Sequence, residues 1–509
     1  MRRCLPLLLL LVPAWVLAGT PVWFHDGQLS PAGAQLLREL ARADDRGLLA
    51  SDYDSATLER LVKQAVADRG ATLDRVDGEL SAAAVRVASD LQRGRVTPNE
   101  AGHDFDVPRP HFDPAAVLKR LAGSSNVGAT LDAMEPQLRH YALLKNALAK
   151  YRALDATQRD LVRLPAPPGA RVRPGESYVG AGALRSLLIA VGDAPPDQGA
   201  PPANGTLDPD LVAALKRFQA RHGLDADGVL GAATFRALTT PFSVRVQQIQ
   251  LSLERIRWLP PLTTPPVIVN IPQFRLFAFR TVRDSAQDIL QMDVIVGDTF
   301  RTRRTPVFAA EMRYVVLQPY WDVPRSILLK ELLPDIRRKP GWLESHDYEI
   351  VRGQSDDAIP VPATIENIDL LARGTLRLRQ NPGPSNALGH VKFMLPNEHN
   401  VYLHDTPGRD LFNRSRRAFS HGCIRVSDPM ALLAHVMRDD PTWTTERVAR
   451  ALALDRPTRV ALAHSIPVFI LYGTAVATEA GPVLFFEDLY GQDAPLLEKI
   501  ASRHAVISG

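Results

Sequence analysis

Residues 420–426 read Ser-His-Gly-Cys-Ile-Arg-Val, and Cys423 is one of two cysteines in 509 residues. The other, Cys4, falls in a leading segment predicted to be removed. A thiol becomes a strong nucleophile as the thiolate, which needs a base or a positive field close by. His404 and His421 are the two candidates. His421 shares a turn with Cys423, so its side chain is expected to face another direction. His404 ends a separate predicted strand, so the fold can set its imidazole against the sulfur. His404 is therefore the expected base. Its second nitrogen needs an orienting acceptor, either a backbone carbonyl near Asp405 or the Asp405 side chain. Gly422 lets the backbone approach an acyl carbonyl closely. The N–H groups around Gly422 and Cys423, in the loop with His421, can then stabilise an oxyanion. Ser420 is placed to bond the loop or a substrate carbonyl. Arg425 can hold a carboxylate in a fork.

Two plainer readings compete. A lone cysteine beside a histidine is often a buried, idle thiol. His404, His421 and Cys423 also supply three zinc-type ligands, but no fourth ligand is in view and the spacing fits no standard zinc pattern. The crowding of two histidines, a glycine and a serine around one thiol favours the nucleophile. No metal and no cofactor are predicted.

The elements that must position these groups change character along the chain. Residues 1–18, "MRRCLPLLLLLVPAWVLA", carry Arg2 and Arg3, an apolar run, and Val16 and Ala18 in a V-x-A pattern. That reads as a secretory signal, with an uncleaved anchor as the alternative, and no stable membrane span is predicted. Export places the mature chain where paired cysteines oxidise, so an unpaired one needs a reason to exist. The 60 basic side chains, two of them in that segment, nearly balance 56 acidic ones. Nucleic-acid binding is therefore not suggested.

Residues 19–173 read as a helical scaffold, with Leu29, Leu36, Leu37 and Leu40 near helical spacing and Gly47 as a stop. A Pro/Gly-rich break at 164–177 precedes a small helical module at 174–241. Helix 242–262 is expected to pack back on the scaffold, with Val246, Ile249, Leu253 and Ile256 on one face. From 263 to 475 the period turns to alternation: "VIVNIPQFRLFAFR", "ILQMDVIVG", "RYVVLQPYW", "HVKFML", "NVYLHD" and "IPVFILYG" read as strands of a curved sheet or sandwich. Residues 331–384 interrupt them with only scattered patterning. Long excursions inside compact domains are usually functional or disordered. This one, following Tyr320 and Trp321, is expected to be a lid over Cys423, with those aromatics at the substrate. The tail, 476–509, is expected to pack on the sheet domain. The fold class is multidomain α+β.

Two resemblances add to this reading. Ala214, Phe218, Gln219, Gly223, Leu224, Asp227, Gly228, Gly231, Thr234 and Leu238 follow the pattern of the small three-helix peptidoglycan-binding module. His404-Asp405-Thr406 followed by Ser420-His421-Gly422-Cys423-Ile424-Arg425-Val426 resembles the signature of L,D-transpeptidases with a YkuD-type domain. The likeness extends through "VIVGDTFRTRRTPVF" and "LGHVKFMLPNEHNVYLHDTP". Gln318 departs from the Asn expected before "PYW". The resemblance implies a periplasmic cysteine acyltransferase acting on peptidoglycan stem peptides and open to carbapenems. Cys423 would attack the bond between diaminopimelate at position three and D-Ala at position four. The acyl group would pass to a second stem's diaminopimelate amine, giving a 3→3 cross-link that bears on cell shape. Other cell-wall synthesis enzymes are implied as partners. Hydrolysis by water, attachment of a lipoprotein lysine, and an inert wall anchor are the alternatives.

Overall fold

The computed structural model describes residues 21–68, 72–196, 205–282, 288–479 and 481–508. The expected signal at 1–18, with Cys4, lies outside them. Among the described residues no helix is long and apolar enough to cross a membrane.

Four buried clusters organise the chain. The first gathers Trp23, Leu36, Leu40, Leu80 and Val87 from an N-terminal hairpin and helices such as Pro31–Ala41 and Leu73–Arg93. Leu29, expected on the first helix, instead ends the short strand Gln28–Leu29. The helix starts one turn later because the Ser30 side chain accepts the Gly33 amide and Pro31 fixes the first helical φ.

The second cluster joins helix Arg139–Thr157 to the module helices Ala181–Val191 and Pro209–Arg221 and to helix Phe242–Ile256. Tyr141, Leu144, Leu148 and Tyr151 thus leave the first core and face Ile249 and Leu253. The module does not keep its core to itself. Ala475, Ala477, Val483 and Phe485 complete it, and Arg221, held by Asp193, donates to Val483 O at 2.6 Å.

The third cluster fills a β-barrel. Its strands are β1 Val267–Asn270, β2 Arg275–Ala278, β3 Leu290–Gly297, β4 Phe308–Leu317, β5 Val391–Met394, β6 Leu403–His404, β7 Ala418–Ser420, β8 Ile424–Val426 and β9 Thr458–Leu471. The order is β7-β3-β8-β6-β5-β4-β9-β1-β2, and β2 also pairs with β3, which closes the sheet. Closure leaves few free edges and fixes register around the ring. The run expected as one strand from Val267 splits into β1 and β2 at a turn where Phe274 takes φ 54°.

The fourth cluster lies in the excursion between β4 and β5. Leu328, Leu333, Ile336, Leu343, Ile350, Leu371, Leu376 and Leu378 are buried together. A four-stranded sheet backs them, and helix Ile365–Arg373 lies beside it. The excursion is an ordered unit with its own core. It also begins earlier than expected from the sequence, since Trp321–Asp322 pairs with Arg379 and Gln380.

Glu254 ties the first two clusters to the barrel. It is 0 % exposed and accepts the Val96 amide at 3.0 Å, Arg257 Nη1 at 3.0 Å and Arg95 Nε at 3.3 Å. Arg257 continues to Arg46 O at 2.6 Å. Burial pushes the Glu254 carboxyl up, but Arg95 and Arg257 pull it lower still, so it sits below its ordinary 4.5. Its contribution is present above that value and lost as pH falls through the folded one. Glu254→Gln should lower unfolding stability by about 3–5 kcal/mol, the cost of stranding a buried partner. Urea unfolding at pH 7 checks this, and an unchanged midpoint would refute it.

Candidate active site

Alternation along three neighbouring strands sorts the barrel wall into a core side and a site side. Val391, Phe393, Leu403, Ile424 and Val426 point into the core. Lys392 and Met394, Tyr402 and His404, and Cys423 and Arg425 take the other face by the same period. Pairing then aligns them. Lys392 stands opposite His404 across β5 and β6, and His404 stands beside Arg425 across the parallel pair β6 and β8. The Ile424 amide donates to Tyr402 O at 3.0 Å, which brings Cys423 beside Tyr402.

His404 is buried, and its Nδ1 lies 2.5 Å from Asp405 O. A carbonyl only accepts, so Nδ1 carries the proton and Nε2 keeps the lone pair. The orienting acceptor is the backbone carbonyl of Asp405. The Asp405 carboxylate works elsewhere, accepting the amides of His390 at 2.8 Å and Thr406 at 2.6 Å and pairing with Arg409. Burial, then the charge of Arg425, then that of Lys392 bring the imidazole down to about 3, while the Asp405 carbonyl pulls the other way. His404 is a neutral base in the resting protein.

Cys423 is half-buried, and its sulfur donates to Asn400 O at 3.7 Å. Burial pushes its thiol above the usual 9.0. Hydrogen bonds from Tyr402 and the charges of Lys392 and Arg425 oppose that rise without cancelling it. No hydrogen bond joins the sulfur to His404 among the described residues.

The loop before the sulfur is held by a relay. Ser420 Oγ donates to Cys423 O at 2.5 Å and accepts the Gly422 amide at 3.1 Å. Thr305 Oγ1 donates to Gly422 O at 2.8 Å and accepts the Gly297 amide at 2.8 Å. Tyr490, from the C-terminal tail, donates to Gly297 O at 2.6 Å. Gly422 takes φ 121°, a left-handed value that suits glycine. Gly297 is required by contact, since a Cβ there would meet Arg303 O at 2.0 Å. The Gly422 amide is thus engaged by Ser420, and the Cys423 amide is the loop donor without an acceptor among the described residues.

His421 turns away from the sulfur. Its Nε2 lies 2.8 Å from Glu331 Oε1, and Glu331 also binds Arg303 at 2.9 Å. Tyr320 lies under the guanidinium of Arg379, 3.9 Å away, and Trp321 sits 6.2 Å from the Tyr348 ring. Both aromatics belong to the excursion's sheet. Sequence reasoning missed Lys392, Tyr402, Thr305, Glu331 and Tyr490. The strand alternation in "VKFM" and "VYLH" held the signal for the first two. The other three come from distant segments and left no local signal.

Three family models match the chain. The "Scaffold domain" covers residues 18–148, the "Putative peptidoglycan binding domain" 181–238, and the "L,D-transpeptidase catalytic domain" of the YkuD family 265–448. A curated relative from Haemophilus influenzae, "Putative L,D-transpeptidase", is 35 % identical over 247 residues, covering 48 % of this chain and 48 % of its own. The chain thus spans about half the length of the curated relative it matches. A solved structure of a fused Zn-dependent amidase/peptidase/peptodoglycan-binding domain-containing protein from Clostridium acetobutylicum covers 59 % of this chain and 99 % of that one. It does so at 11 % identity and a TM-score of 0.15, too low to inform the fold. His404, Asp405 and Cys423 all fall inside the 265–448 match, so the chain carries a YkuD-type L,D-transpeptidase catalytic domain together with a scaffold domain and a peptidoglycan-binding domain.

Proposed function

We propose that this chain is an exported, periplasmic L,D-transpeptidase that forms 3→3 cross-links between peptidoglycan stems. The observation that carries the reading is the neutral His404, its Nδ1–H bound to Asp405 O, on the same barrel face as the half-buried thiol of Cys423. In this mechanism Nε2 takes the Cys423 proton as sulfur attacks the carbonyl between diaminopimelate and D-Ala. The oxyanion faces the Cys423 amide. The C–N bond breaks, Nε2 returns the proton to the leaving nitrogen, and D-Ala departs, leaving a thioester. The diaminopimelate amine of a second stem then attacks that thioester. It passes its proton to Nε2, and sulfur leaves to be reprotonated. One base serves both halves because each half moves one proton.

In this reading Ser420 and Gly422 hold the loop, and Asp405 orients the base. His421 anchors the loop to the excursion through Glu331, and Tyr320 and Trp321 shape the excursion's inner sheet. Arg425 faces the donor stem. The excursion acts as the lid, since excluding water favours an amine acceptor over hydrolysis.

Incubation with a disaccharide-tetrapeptide, followed by mass spectrometry, tests the reaction. Wild-type protein should yield a 3→3 dimer and a transient Cys423 thioester. Cys423→Ala should yield neither, and a dimer from that variant would sink the assignment. His404→Ala should slow acylation roughly 10²–10⁴-fold, the range for a lost general base.

The resting pair is neutral, so proton transfer accompanies attack. Iodoacetamide alkylation of the free protein should keep rising from pH 7 to beyond 9, following a thiol held above 9.0. A plateau between pH 5 and 7 would mean a preformed thiolate–imidazolium pair and overturn this mechanism.

Asp322 and Arg379 are register partners, so a short Gly/Ser linker can replace residues 323–378 without parting the barrel. That variant should keep a reactive Cys423 but convert more thioester to hydrolysed tripeptide. An unchanged ratio of dimer to tripeptide would remove the lid role.

A further inference from the structure

The candidate base stands between two cations. Lys392 flanks His404 on β5 and Arg425 flanks it on β8, all three on the site face. Neither cation is matched by a carboxylate in contact. Lys392 Nζ lies 4.1 Å over the Tyr402 ring, and Asp322 and Asp356 reach it only through their charge. Arg425 Nε is buried without a hydrogen-bond partner. Burial lowers both side chains. Two desolvated cations facing one groove cost stability unless an anion completes them. The reaction itself has no use for the second cation. Arg425 already lies beside the sulfur, and a proton acceptor is weakened by extra positive charge.

Geometry separates their tasks. The carbonyl carbon must sit at Cys423 Sγ, and the leaving nitrogen must sit at His404 Nε2 to receive its proton. Whatever hangs on that nitrogen therefore continues past β6 towards β5, about 4.8 Å further across the sheet, where Lys392 stands. In a donor ending in one D-amino acid, that substituent bears a free carboxylate two bonds from the nitrogen. In a donor one residue longer, the same carboxyl is an uncharged amide. Resting on the acyl-transfer reading above, we propose that Lys392 is a specificity-determining residue that receives the terminal carboxylate of the leaving D-amino acid, leaving Arg425 for the acyl half of the donor. The pocket would accept stems that end at the fourth residue and discriminate against those that continue.

The test compares acylation of Cys423 by two synthetic tetrapeptide donors, one ending in D-Ala and one in D-Ala carboxamide, by intact-protein mass. Wild type should acylate with the acid roughly 10–100-fold faster in kcat/KM, the size of one charge-assisted hydrogen bond. In Lys392→Met that ratio should fall towards one, and Lys392→Arg should restore most of it. A purely structural role, or one exerted through His404, would slow both donors alike and keep the ratio, which overturns the proposal. Equal rates for the two donors in wild type would overturn it without any variant, so a misfolded Lys392→Met cannot shelter it. Wild-type protein acylated by neither donor would remove the transpeptidase reading, and the proposal with it.

Discussion

The site depends on one pairing of short strands. β6 and β8 run parallel, with Leu403 beside Ile424 and His404 beside Arg425. Parallel neighbours cannot be joined by a tight turn, so the chain between them must make a long excursion and return. That excursion carries the helical turn Arg409–Asn413 and β7 before the thiol loop. Sliding the pairing by one residue would exchange the two faces. Tyr402, His404, Cys423 and Arg425 would then enter the core, and Leu403 and Ile424 would face the groove. The apolar residues therefore set the register, and the polar chemistry inherits it.

The electrostatics follow from the same face. Burial disfavours the thiolate and the imidazolium alike, and the flanking cations favour one and oppose the other. The balance gives a thiol and a neutral imidazole at rest. Such a pair is less open to stray oxidation than a standing thiolate, since oxidation follows thiolate character and exposure. Reactivity then arises when a bound donor gives the proton transfer a purpose.

Much of this was legible in the sequence, for identifiable reasons. Cys423, His404, Gly422 and Ser420 lie in one short stretch, where residue type and spacing carry information. Strand alternation located most of the barrel. The choice between the two Asp405 acceptors was not legible, because it turns on whether the side chain reaches Arg409 and the His390 amide or bends back to the imidazole. The excursion was read as scattered patterning because its core is built from helices and strands of three to nine residues. Such pieces are too short to show a period. The shared core of the module and residues 475–485 was hidden for another reason. Contacts between segments that far apart leave no periodic trace.

Tyr490 gives the thiol loop a temporal property. Chains are made, and threaded through membranes, from the N-terminus. Cys423 therefore emerges well before the hydroxyl that closes the relay through Gly297 and Thr305 to Gly422. β9, which pairs with β1 and β4, also comes after the thiol loop. Until both arrive, the barrel is an open sheet and Gly422 O lacks its fixed donor. The nucleophile is thus chemically present from the middle of synthesis but competent only at its end, so the last part of the chain acts as the arming step of the whole molecule.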